Sequence, residues 1–118
     1  MTRSRLPPRR QSTTLDLWYK GERFHVSYAR DPDGRISEVF LHGPKVGSDL
    51  DGMAFDIGVA LSLALQHGAD VDVLGHSVAR LEDGHPASIV GAVLDMLRPL
   101  DHMSLETEYA YFNAKETT

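Results

Sequence analysis

The stretch Thr14–Gly43, TLDLWYKGERFHVSYARDPDGRISEVFLHG, decides the fold. Successive side chains of a strand point to opposite faces, so alternating polarity marks a strand buried on one side. Leu15, Leu17 and Tyr19 alternate with Asp16, Trp18 and Lys20, and Phe24, Val26 and Tyr28 alternate with Arg23, His25 and Ser27. Ile36, Val39, Phe40 and Leu41 carry a third strand, whose alternation slips near Val39 and predicts a bulge there. The connections are short. One is Lys20-Gly21-Glu22; the other is Asp31-Pro32-Asp33-Gly34, where Pro32 suits the first central position of a type I turn and Gly34 a left-handed φ. Two tight connections make the three strands an antiparallel meander.

Beyond Gly43–Pro44 the period changes. Leu50, Met53, Ala54, Ile57, Gly58, Leu61, Ala64 and Leu65 recur at helical spacing, while Phe55, Val59 and Leu63 fill much of the other side. An apolar stripe this wide implies contact on more than one side of a helix over Leu50–His67, which Gly68 ends. A second helix is predicted over Asp70–Leu81, capped by Asp70 and weakened at Gly75 by about 1 kcal/mol. A third runs from Pro86 to Pro99, with Ile89, Val90, Val93, Leu94 and Leu97 on its buried face. Residues 101–118 are polar, with Tyr109, Tyr111 and Phe112 but no clear period, and read as a C-terminal tail. Toward the other end, Pro7 and Pro8 make residues 1–12 an extended arm. The fold class is therefore α+β: a three-stranded antiparallel meander followed by three helices packed on one face, over residues 13–100.

A chain of 118 residues with 42% apolar residues can bury a single core. It has no cysteine, which excludes disulfides, thiolate metal sites and a catalytic thiol. The net charge of -5 is unevenly spread: residues 1–30 hold seven basic residues against two acidic, and the rest five against fifteen. Arg3, Arg5, Arg9 and Arg10 supply most of the basic excess. Such an arm can bind phosphates, lie on the acidic body of this or a neighbouring chain, or stay solvated. No apolar run is long enough to span a membrane, and the N-terminus lacks the apolar core of a signal peptide, so a cytoplasmic protein is expected.

The loop Gly43–Ser48 invites comparison with a phosphate cradle. Gly43 and Gly47 are separated by three residues and Lys45 precedes Gly47, so neither a Walker loop nor a dinucleotide motif is present. Ser48 followed three residues later by Asp51 fits a capping pattern, and helix capping and anion binding are both carried forward. The phosphate-binding candidates are Arg5, Arg9, Arg10, Lys45, Gly47 and Ser48, with Trp18 and Tyr19 as stacking candidates that also fit plain sheet packing. The six histidines have no metal-ligand spacing. Asp56, inside the apolar helix, reads as a buried acid, an arginine partner or an interface residue. Met53, Phe55, Asp56, Val59 and Leu63 are the interface candidates, which implies a homo-oligomer, in the first instance a dimer.

Four stretches occur in a telling order: SRLPPRR at Ser4–Arg10, GRISEVFLHGPKVG at Gly34–Gly47, FDIGVALSLALQHGADVDVLGHSVARLEDG at Phe55–Gly84, and ASIVGAVLDMLRPL at Ala87–Leu100. Together they resemble the TSCPD domain, the C-terminal domain of vitamin B12-dependent (class II) ribonucleotide reductases. The cysteine-bearing stretch of some members is here DGHPAS, Asp83–Ser88, and the cysteine tail of many full-length members has no counterpart. The resemblance implies a non-catalytic accessory, regulatory or oligomerisation module working with a reductase catalytic chain. Adenosylcobalamin would belong to the full-length enzyme, not to this chain. A nucleotide or nucleic-acid phosphate-binding module using the basic arm is the alternative.

Overall fold

The computed structural model describes residues 13–116, so the basic arm with Arg5, Arg9 and Arg10 lies outside the described residues. Three strands, β1 (Thr13–Tyr19), β2 (Glu22–Arg30) and β3 (Ile36–His42), form one antiparallel sheet in the order β1-β2-β3. Lys20 and Gly21 take φ of 52° and 79°, the pair of positive values that a two-residue hairpin turn of matching twist needs. At the second turn the Asp31 carboxylate accepts from the amides of Asp33 and Arg35, and Gly34 N–H donates to Asp31 O at 2.9 Å. The predicted meander is thus the one observed.

The bulge sits two residues earlier than the polarity pattern predicts. Ala29 pairs with Glu38 and Arg30 with Ile36, leaving Ser37 as the extra residue. That extra residue lets Ile36 and Val39 both face the core, since an uninterrupted strand would put residues three apart on opposite faces.

Four helices follow: α1 (Asp49–Gln66), α2 (Val71–Ser77), α3 (Ile89–Leu97) and α4 (Leu105–Glu116). The core joins Phe24, Val26, Tyr28, Ile36, Val39 and Leu41 of the sheet to Leu61 and Leu65 of α1, Val71 of α2, and Val93, Leu94 and Leu97 of α3. The opposite sheet face carries Thr14, Asp16, Trp18, Arg23, Glu38, Phe40 and His42, all exposed.

Helix α2 stops earlier than predicted, at Ser77, because residues 78–87 fold back on themselves. Ala87 N–H donates to Ala79 O and Leu81 N–H to His85 O. Arg80 then reaches back and donates to the α2 carbonyl of Gly75 at 2.7 Å, and holds both oxygens of Asp95 on α3 at 2.7 and 2.8 Å. Helix α3 begins at Ile89 after its cap Ser88, and Pro99 falls in a 3-10 turn, Arg98–Leu100, that extends it.

Helix α4 occupies most of the segment whose sequence shows no period. Its attachment joins two partly buried aromatics, Tyr111 and Phe112, to a polar clamp. Glu108, buried, accepts from Tyr28 Oη at 2.8 Å and from Arg30 Nε and Nη2 at 3.2 and 2.7 Å. Ser104 caps the helix by accepting from Thr107 N–H at 3.1 Å.

Candidate functional site

Helix α1 does not lie flat on the sheet; it runs along the free edge of β3. Val39 N–H donates to Ser62 Oγ at 2.9 Å and Ser62 Oγ donates to Val39 O at 3.1 Å. Gln66 Nε2 donates to Ser37 O at 3.0 Å. Between them, a Cβ on Gly58 would stand 3.0 Å from Val39 O and 3.1 Å from Leu41 N, so only glycine allows the helix this close. Gly58, Ser62 and Gln66 recur every four residues, about 6 Å of helix, opposite Leu41, Val39 and Ser37, every two residues of strand, about 6.7 Å. The near-match of the two repeats lets one helix cover an edge strand and bond Val39 N–H, Val39 O and Ser37 O.

The loop Gly43–Ser48 joins the two elements. Ser48 caps α1 as the capping pattern predicts: its Oγ accepts from Asp51 N–H at 3.1 Å and donates to Lys45 O at 2.7 Å. Asp51 turns back into the loop, its Oδ1 accepting from Gly43 N–H at 2.8 Å and its Oδ2 from Gly47 N–H at 3.0 Å. These amides, Gly43 first and Gly47 next, hold the Asp51 carboxyl below its ordinary range, and His42 beside it acts in the same direction. The loop is an anion cradle whose anion is its own aspartate. A phosphate bound to Gly47 N–H would have to displace Asp51. Lys45 is exposed beside it.

Trp18 and Tyr19 are separated by the strand period. Trp18 stands on the outer sheet face with the Arg23 guanidinium 6.0 Å from its ring, whereas Tyr19 turns toward the core. The interface candidates are all exposed, and Asp56 is exposed with them rather than a buried acid. At about 100° per residue, Phe55, Val59 and Leu63 share one flank of α1, next to the outer sheet face, with Asp56 at its border. The His42 and Phe55 rings approach to 6.5 Å, which fixes that flank beside β3. Met53 lies about 160° round from Phe55 and belongs to a different side.

Two side-chain constellations escape a sequence reading: Tyr28–Arg30–Glu108 and Arg80–Asp95–Gly75. Glu108 lies 78 residues from Arg30 and Asp95 15 residues from Arg80, and neither pair matches a motif spacing. The start of α4 alone carried a signal, Ser104 followed by Glu106 and Glu108, an N-cap with an acidic first turn.

Among the described residues no group of three or more His, Asp or Glu side chains is placed to hold a metal ion. A groove lined by Asp31, Arg35, Ser37, Glu38, Leu65, Gln66 and Gly68 offers one large apolar side chain, Leu65, against the broad apolar faces of a corrin. These residues do not fit cobalamin. No helix among the described residues is long and apolar enough to cross a membrane.

The family model for the TSCPD domain matches residues 2–98. A vitamin B12-dependent ribonucleotide reductase of Rhodopirellula baltica is 38% identical over 72 residues, covering 61% of this chain and 7% of that protein. One from Bradyrhizobium diazoefficiens is 26% identical over 113 residues, covering 94% of this chain and 9% of that protein. One from Streptantibioticus cattleyicolor is 28% identical over 118 residues, covering 92% of this chain and 20% of that protein. The chain thus spans between 7% and 20% of these relatives' lengths. No solved structure matches it at a significant level. The strand-rich first half, the Gly43–Ser48 loop and the helix that seals β3 all fall within the matched span, and the chain belongs to the TSCPD domain family.

Proposed function

We propose that this chain is a non-catalytic accessory or regulatory module that acts, in the cytoplasm, together with the catalytic chain of a vitamin B12-dependent ribonucleotide reductase. The observation that carries the reading is the TSCPD match over residues 2–98 in a chain of 118 residues without cysteine. A chain without cysteine has no thiol for redox chemistry, so its contribution is binding and positioning. Adenosylcobalamin stays with the catalytic chain.

The test is titration calorimetry of the full chain against the reductase catalytic chain of the same organism, with deoxynucleotide formation measured in parallel. Saturable binding with a changed rate or a changed response to nucleotides is expected. No heat at tens of micromolar, with an unchanged rate, overturns the reading.

A second reading, nucleotide binding, is favoured by the exposure of Lys45 and of Trp18 with its stacked Arg23. A phosphate contact through Lys45 and the basic arm predicts an affinity that falls steeply with salt. An affinity that is flat from low to physiological salt removes it.

A further inference from the structure

The α1 flank beside the outer sheet face is apolar and uncovered: Phe55 is 53% exposed, Val59 44%, Leu63 53%, and Phe40 of β3, next to it, 45%. We propose that this flank is the contact between two copies of the chain, formed by two α1 helices crossing antiparallel with Val59 at the two-fold axis. The surface is independent of the reductase reading above.

The spacing carries the symmetry. Phe55 and Leu63 stand four residues to either side of Val59, and all three lie on one i±4 ridge. The next ridge outward holds Gly52, Asp56, Ala60 and Ala64, three of them small, so the groove between the ridges is shallow-walled enough to admit the partner's ridge. A two-fold contact is self-complementary: residue i meets j and j meets i. Antiparallel crossing at Val59 sets Phe55 against the partner's Leu63 and closes the contact with two copies.

Charge decides the orientation. The first half of α1 holds Asp49, Asp51 and Asp56, and its second half holds no acid and ends at His67. An antiparallel pair lays the acidic half of each helix beside the acid-free half of the other. It also separates the two Asp56 residues by about 9 Å along the helices, because each lies three residues from the axis. A parallel pair would place like acids side by side and align the helix dipoles unfavourably.

The absence of native cysteine makes the geometry directly testable. Helix axes about 8–10 Å apart, less a Cα radius of about 2.3 Å on each side, bring the two Val59 Cα atoms to about 3.4–5.4 Å. That range overlaps the span a disulfide bridges, about 4.4–6.8 Å. Mild oxidation of Val59→Cys should therefore convert most of the chain to a covalent dimer. Phe55→Cys alone and Leu63→Cys alone should link at least tenfold less, while an equal mixture of the two should link well. Light scattering on the unmodified chain should give twice the chain mass, and Val59→Arg the single mass, with a cooperative melting transition that no longer depends on chain concentration. A single mass for the unmodified chain at a hundred micromolar overturns the proposal, whether or not the reductase then binds. So does self-linking of Phe55→Cys as efficient as that of Val59→Cys, which would mean a parallel pair or another surface.

Discussion

Substitution of Gly58 by alanine sets two measurable effects against each other. Alanine is a better helix former than glycine by about 0.8–1.0 kcal/mol, so in open space Gly58→Ala would stabilise α1. At this position the added Cβ would stand 3.0 Å from Val39 O and 3.1 Å from Leu41 N. Those are backbone atoms of a paired strand, and no flexible side chain is there to swing aside. The helix must retreat by a few tenths of an ångström. The retreat stretches the two Ser62 bonds to Val39 and the Gln66 bond to Ser37. At about 1 kcal/mol each, losing all three would cost about 3 kcal/mol, so after the propensity gain a net loss of about 1–2 kcal/mol is expected. For a domain of this size that is a fall in melting temperature of about 4–8 °C. Gly52 is the internal control: it lies in the same helix, with nothing within 4 Å of an added Cβ. Gly52→Ala should gain up to about 1 kcal/mol. Urea denaturation of both variants separates the two effects. If Gly58→Ala proves as stable as Gly52→Ala, the close docking of α1 on the β3 edge is refuted.

Three further outcomes are expected. Glu108→Ala strands the Arg30 guanidinium beside a half-empty site, and breaking such a buried pair costs about 3–5 kcal/mol; hydrogen exchange should speed up first in α4, and uniform exchange across the chain would contradict the clamp. Asp51 has its folded-state carboxyl held below the ordinary 3.8, so its stabilisation is present above that pH and is lost as pH falls through the lower folded value. Asp51→Asn should flatten the acid limb of a stability-versus-pH curve below pH 3.8, and an unchanged limb would show that Asp51 is not the group responsible. Tyr19 Oη is buried without a hydrogen-bond partner among the described residues, so Tyr19→Phe should hold stability or raise it by up to about 1 kcal/mol; a loss beyond that in a melting experiment would reveal a partner for the hydroxyl.

The meander, the capping of α1 by Ser48 and the apolar faces of α1 and α3 were legible because each rests on local rules: periodicity, turn chemistry and an N-cap. What stayed hidden rests on contacts between distant residues. Val39 looks like the site of a register slip because the polarity pattern breaks there, yet the break is the downstream effect of Ser37. Asp70–Leu81 reads as one helix because nothing nearby announces that Arg80 will leave it to bind Asp95. Helix α4 shows no clear apolar stripe because a buried carboxylate, Glu108, anchors it alongside only two packed aromatics, Tyr111 and Phe112. Gly58, Ser62 and Gln66 look like unremarkable helix residues until a strand edge is laid beside them. At the candidate site, the exposure of Phe55, Val59 and Leu63 follows from a stripe too wide for one sheet, whereas the filling of the loop amides by Asp51 needed the folded geometry.

Sealing β3 with side chains gives the sheet a direction of growth. Val39 N–H and O and Ser37 O on β3 are bonded to α1, and the helix backbone at Gly58 lies against Leu41, so among the described strands only β1 has an edge on which another strand can add. Two copies joined edge to edge through β1 would carry α1 at both outer limits and could add no third copy by strand pairing. A sheet open at one end can make pairs but cannot run on as a continuous hydrogen-bonded sheet, and that restraint rests on Gly58, Ser62 and Gln66, residues that contribute little to the apolar core.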